Sequence, residues 1–121
     1  MKFEELCDAR YSLRKFDSRP VEAEKLQKVL EAGRKAPTAH NLQPQRFFVM
    51  QSEEALAKAD TCTACHFHPP VVIVAAYDPE IAWKREEDGK NHGEIDVTLA
   101  VSQMMLQAAE LGLGTTYVGM F

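Results

Sequence analysis

Phe3, Leu6 and Cys7 recur at helical spacing, so residues 2–9 are predicted to form a short amphipathic helix. Asp17-Ser18-Arg19-Pro20 breaks that pattern with turn-forming residues. A second helix is predicted from Glu22 to Lys35, on the stripe Leu26, Val29, Leu30 and Gly33. Glu22 and Glu24 near its start and Arg34 and Lys35 near its end suit the helix dipole, and Pro37 stops it. Residues 46–51, Arg-Phe-Phe-Val-Met-Gln, read as a strand. Ser52 is placed to cap a short helix through Ala59, with Glu53 and Glu54 in its first turn. Residues 70–77 are almost all apolar, which predicts a strand buried on both faces.

Asp78-Pro79 opens a polar surface stretch to Gly93 that contains Trp83. Ile95, Leu99, Ser102, Met105, Leu106 and Ala109 then trace a long helix, with Gly112 as its left-handed cap. Thr115–Met120 reads as a further strand. Three strands are few for four helices, and the last residue, Phe121, falls inside the final strand pattern. The expectation is a fragment of a longer protein, or a sheet completed by a partner.

With 121 residues the chain is expected to form a single domain, 1–121, with a core of modest size. The net charge of −4 gives no reason to expect nucleic acid or an acidic membrane surface as partner. No apolar run is long enough for a membrane span. Glu4 and Glu5 stand where a secretory signal would be basic and then apolar, so a cytoplasmic protein is expected. Three cysteines do not suggest a disulfide framework.

Three short segments carry candidate chemistry. Arg10, Ser12 and Arg14 fall on one side of an extended chain, where guanidinium forks match phosphate oxygens and the hydroxyl adds a neutral donor. The alternative is a solvated basic turn paired with Glu4, Glu5 or Asp8. Pro37-Thr-Ala-His-Asn-Leu-Gln-Pro44 brackets small and amide side chains between prolines. Such a turn lets a flat ring approach the backbone, or is an ordinary helix-to-strand connection. His40 within it is either a proton donor to substrate or merely polar. Cys62-Thr-Ala-Cys65-His66-Phe-His68 admits haem attachment, a metal site, a redox pair or a plain loop. Its position before a strand and the cramped geometry of so short a run, to which Cys7 or His92 could add a ligand, favour the loop, and no metal site is assigned.

Arg10-Tyr-Ser-Leu-Arg-Lys-Phe, Ala36-Pro-Thr-Ala-His-Asn-Leu-Gln-Pro-Gln-Arg-Phe-Phe-Val and Ala109-Glu-Leu-Gly-Leu-Gly-Thr-Thr-Tyr-Val-Gly occur in an order and spacing that resemble the nitroreductase family of FMN-dependent flavoproteins. The resemblance covers nearly the whole chain. It implies an α+β fold with a central antiparallel sheet flanked by helices, and an intertwined homodimer with FMN at the subunit interface. It also implies NAD(P)H as electron donor and a small electron-poor acceptor, a nitroaromatic, quinone or similar; the alternative is a non-catalytic flavin- or metal-binding module, a truncated family member. The family's further C-terminal part, with a last strand and a wrapping arm, has no counterpart here, so the chain is expected to be C-terminally truncated. Carried over by position, Arg10, Tyr11, Ser12 and Arg14 would hold the phosphate and ribityl chain. Pro37, Thr38, Ala39 and Asn41 would reach the ring from the other subunit. Tyr117, Val118, Gly119 and Met120 would run along the flavin, with the Gly119 N–H facing N5. Thr61 or Cys62 would approach the ring edge. No side chain is assigned as acid or base, because the flavin carries the chemistry.

Overall fold

The computed structural model describes residues 1–121. Helices α1 (Phe3–Ala9), α2 (Ala23–Arg34), α3 (Glu53–Asp60) and α4 (Gly93–Glu110) surround strands β1 (Gln45–Met50) and β2 (Val72–Tyr77). The strands pair antiparallel, from Gln45 opposite Tyr77 to Met50 opposite Val72. This is the expected α+β arrangement, with elements ending within two residues of their sequence-based limits. The local signals act as anticipated. The Ser52 hydroxyl accepts the Ala55 N–H at 3.1 Å to start α3, and Gly112 adopts φ +78° just beyond α4.

Helices α2 and α4 pack in opposite senses. Val29, Met104 and Ala108 form the central apolar cluster, against which Leu30, Phe47, Ile73, Leu111 and Leu113 pack. The Gln103 side-chain amide donates to the Ala32 carbonyl at 2.8 Å, fixing the register of the pair. Gly33 permits the close approach, because a Cβ there would lie 2.6 Å from the Met104 sulfur.

Two expectations are corrected. Thr115–Met120 is not a strand: one parallel bridge joins Ser12 to Thr115, and nothing in the chain pairs with residues 116–121. Its residues favour extended backbone, but a strand also needs a neighbour. Second, β2 is half-buried throughout instead of buried on both faces, since β1 is its only strand neighbour. The apolar residues that trace α4 lie partly outside the core. The buried residues are Gly93, Asp96, Ala100, Met104 and Ala108, while Ile95 and Leu99 are 41% and 45% exposed. Helix α4 is apolar on two faces, and periodicity alone does not say which one the core takes.

The surface is large for this mass. A folded monomer of 13.6 kDa is expected to expose about 6,600 Å², and this chain exposes 8246 Å². Large apolar side chains are exposed on it, among them Phe3, Phe48, Ile95, Leu99, Tyr117, Met120 and Phe121. No helix is long and apolar enough to cross a membrane.

Gly93 sets how closely α4 begins against β2, because a Cβ there would overlap the Tyr77 ring. Gly93→Ala is expected to destabilise the fold by about 1–3 kcal/mol, the range for overpacking a tight contact. Urea unfolding checks this; an unchanged midpoint would contradict the close packing of α4 on β2.

Candidate functional site

The chain leaves α1 at Arg10, whose own backbone is extended at φ −72° and ψ 125°. The Leu13 N–H then donates to the Thr115 carbonyl at 2.9 Å, and Gly114 makes room for the Leu13 side chain. This contact joins the Arg10–Arg14 segment to the Tyr117–Met120 segment. Arg10 is half-buried, and Tyr11, Ser12 and Arg14 are exposed.

Arg10 and Arg14 differ from the other four arginines in having no partner. Arg19 pairs with Asp17, Arg34 with Glu31 and Arg85 with Asp88, while Arg46 donates to the Gln43 and Gln45 carbonyls. No acid or carbonyl engages Arg10 or Arg14, so the alternative pairing with Glu4, Glu5 or Asp8 is absent. Two uncommitted guanidinium groups four residues apart, with a hydroxyl between them, form a donor set suited to a polyoxygen anion. Beside them, the backbone N–H groups of residues 116–121 make no hydrogen bond within the chain. Tyr117 and Met120 are 69% and 72% exposed, Gly119 is exposed and Val118 is half-buried.

Residues 37–44 make a compact loop around a short 3-10 turn, Ala39–Asn41. His40, Asn41 and Gln43 have φ of 54°, 53° and 52°, in the left-handed region that non-glycine residues rarely occupy. The loop is held internally by Asn41 N–H to the Thr38 carbonyl at 2.9 Å and Gln43 N–H to the Thr38 hydroxyl at 3.0 Å. The Ala39 N–H reaches outside the loop to the Asp96 carboxylate at 3.0 Å. Pro37, His40 and Asn41 are exposed, and Thr38 and Ala39 are half-buried. His40 also packs at a tilt against Trp83, at 4.8 Å between ring centroids, and Trp83 in turn packs at a tilt against His92 at 4.7 Å.

Asp96 escaped the sequence reading. It is 2% exposed, and its second oxygen, Oδ2, is buried without a partner. A signal was available, since Gly93, Asp96, Ala100, Met104 and Ala108 follow helical spacing and put an acid in a row of small and apolar residues.

The candidate segments gather at two places. The 37–41 loop is tied to Asp96, in the first turn of α4, while the 10–14 and 117–120 segments meet beyond its last residue, Glu110. From Asp96 to Glu110 an α-helix rises about 21 Å. Within one chain, the loop and the arginines therefore belong to opposite ends of the same helix.

The 61–68 loop holds free thiols at Cys62, exposed, and Cys65, half-buried. No group of three or more His, Cys, Asp or Glu side chains is arranged to hold a metal ion. His66 instead braces the loop, its Nε2–H shared by the Asp60 and Thr63 carbonyls at 2.8 and 2.6 Å.

The chain matches the family model described as the nitroreductase family over residues 8–68 and 64–121. Among solved structures, it is similar to a nitroreductase family protein from Clostridium difficile 630, with 44% identity and a TM-score of 0.91, over 94% of this chain and 66% of that one. It is also similar to an FMN-dependent nitroreductase from Clostridium difficile R20291, with 34% identity and a TM-score of 0.75, over 90% of this chain and 61% of that one. An NADPH-dependent oxidoreductase from Staphylococcus epidermidis is 28% identical, over 95% of this chain and 52% of the relative. The chain spans between 30% and 64% of the length of the curated relatives it matches.

The two carbonyls on His66 raise its pKa above the ordinary 6.5, Asp60 contributing most. A raised folded-state pKa adds stability that is fully present below about 6.5 and is lost as pH rises through the folded value. In an NMR titration, His66 is expected to titrate above 6.5, with the 61–68 amides exchanging faster as it deprotonates. A His66 pKa at or below 6.5 would contradict the bracing.

Proposed function

The chain belongs to the nitroreductase family, and on that premise we propose that it is the FMN-binding part of an NAD(P)H-dependent oxidoreductase that acts as a homodimer. The observation that carries this reading is the pair of arginines, Arg10 and Arg14, left without partners beside Ser12. Burying or pairing these groups internally would have been the ordinary outcome for a structural role. A flavin phosphate has the charge and oxygen geometry to engage both forks.

FMN, when bound, supplies the hydride chemistry that links NAD(P)H to a nitroaromatic, quinone or similar acceptor. The residues of this chain bind and orient it. Arg10 and Arg14 neutralise the phosphate, while Ser12 and the Tyr11 backbone add neutral donors along the ribityl chain. Residues Tyr117–Met120 offer uncommitted backbone N–H groups, and Gly119 is the one assigned to the ring nitrogen. Pro37, Thr38, Ala39 and Asn41 supply small and amide groups to the ring edge. The separation of these groups along α4 supports a site made from two copies. An antiparallel neighbour would bring the start of one α4 beside the end of the other. The exposed Ile95 and Leu99 give that neighbour an apolar strip, and the outsized surface is consistent with a contact still to be made. The reading includes a cytoplasmic location and small-molecule partners, and the net charge of −4 gives no attraction to nucleic acid or an acidic membrane surface.

Arg10→Ala is expected to weaken FMN binding by about 1.5–3 kcal/mol, the range for a hydrogen bond to a charged group. Titration of the purified protein with FMN, followed by flavin fluorescence quenching, measures this. An unchanged affinity would remove the phosphate assignment.

A further inference from the structure

Asp96 is the one acidic side chain buried in this protein. Placing a carboxylate in a core costs several kcal/mol unless its oxygens are satisfied. Here Oδ1 accepts a single hydrogen bond, from Ala39 N–H, and Oδ2 has no partner. Packing does not require the acid, because its neighbours in the buried row of α4 are glycine, alanine and methionine. What the acid does is reach across to the loop. Thr38 enters that loop extended, at φ −133° and ψ 154°, and the left-handed residues begin two positions later at His40. The Ala39 N–H lies between them, at the start of the 3-10 turn. Left-handed non-glycine residues are held only where surrounding contacts over-determine them. The internal hydrogen bonds of the loop fix its shape, whereas the bond to Asp96 fixes its position on the rigid first turns of α4.

We infer that Asp96 is a positioning residue for cofactor binding: its carboxylate clamps the Ala39 N–H and thereby holds the left-handed 38–43 loop where it meets the flavin ring. This inference rests on the reading of that loop as part of the flavin site. The clamp needs a hydrogen-bond acceptor of this size and reach, and does not need a charge. An asparagine can accept the same N–H through its amide oxygen, whereas alanine cannot.

Asp96→Ala and Asp96→Asn are compared in the full chain by FMN titration, thermal unfolding and exchange of the Ala39 amide in the flavin-free protein. Ala39→Pro removes the donor without touching Asp96, and Thr38 already has the extended backbone that precedes a proline. Val29→Ala thins the core far from the loop and serves as a control for lost stability. Asp96→Ala and Ala39→Pro are expected to raise the FMN dissociation constant at least about tenfold, as for a lost hydrogen bond to a charged group. Asp96→Asn is expected to stay within about threefold of the parent and to keep the Ala39 amide protected, while Asp96→Ala exposes it. Val29→Ala should lower the unfolding temperature with little change in FMN affinity. If Asp96→Ala leaves FMN affinity unchanged while Arg10→Ala weakens it, the positioning role is overturned and the flavin reading stands. If neither substitution matters, both fall together. An Asp96→Asn protein as impaired as Asp96→Ala would also overturn the clamp. Should Asp96→Ala fail to fold, Ala39→Pro supplies the same comparison.

Discussion

The length of α4 governs how this protein can build a site. Its buried row, from Gly93 to Ala108, grips α2 and the sheet, so the helix is a fixed strut. One end carries Asp96 and, through it, the 37–43 loop; the other leads through Gly112 to the strip that bridges Ser12. Bending cannot bring these ends together, since a helix shortens only by breaking its own hydrogen bonds. Under the proposed assignment, the flavin that touches both the arginines and the loop is shared by two chains, each giving one end. On the same proposal, the apolar outer face of α4 and the generous surface are what a second copy would cover.

The two ends handle charge in opposite ways. Near the chain start, Arg10 and Arg14 remain uncommitted while three of the other four arginines form ion pairs within three residues. Near the start of α4, an acid is buried with one of its two oxygens unpartnered. Both arrangements forgo stability that simple substitutions could recover, which is the usual mark of residues kept for binding. The three left-handed residues of the loop belong to the same economy of strain: the clamp from Asp96 and the hydrogen bonds to Thr38 hold a shape the backbone alone disfavours.

Much of the fold could be read from local signals because those signals act locally. The i, i+3, i+4 stripe of α2, the Ser52 cap and the Gly112 terminator each operate within one or two helical turns. Readings failed where the deciding partner is distant. Thr115–Met120 has the composition of a strand and no strand beside it. Residues 72–77 are apolar enough for a central strand but have one neighbour. On α4, apolar residues line two faces, so the pattern that located the helix could not choose its inner side. At the candidate site, the short motifs were visible, yet Asp96 was not, because its importance comes from an N–H 57 positions away in sequence. The metal-like spacing at Cys62, Cys65 and His66 shows the reverse case. There the imidazole is occupied by backbone carbonyls, and the structure turns an apparent ligand into a loop brace.

The claim that the flavin site is divided between two chains is tested most directly by complementation. One preparation carries Arg10→Ala with Arg14→Ala; the other carries Thr38→Val with Asn41→Ala; each alone binds FMN poorly. Unfolding and refolding them together in equal amounts gives mixed dimers, in which one site draws both halves from intact segments. The account predicts that FMN binding returns at about one site in four, the statistical yield of random pairing in a two-fold dimer. Mixed material that binds no more FMN than the separate variants would contradict it, and would place the arginines and the loop in sites that never meet.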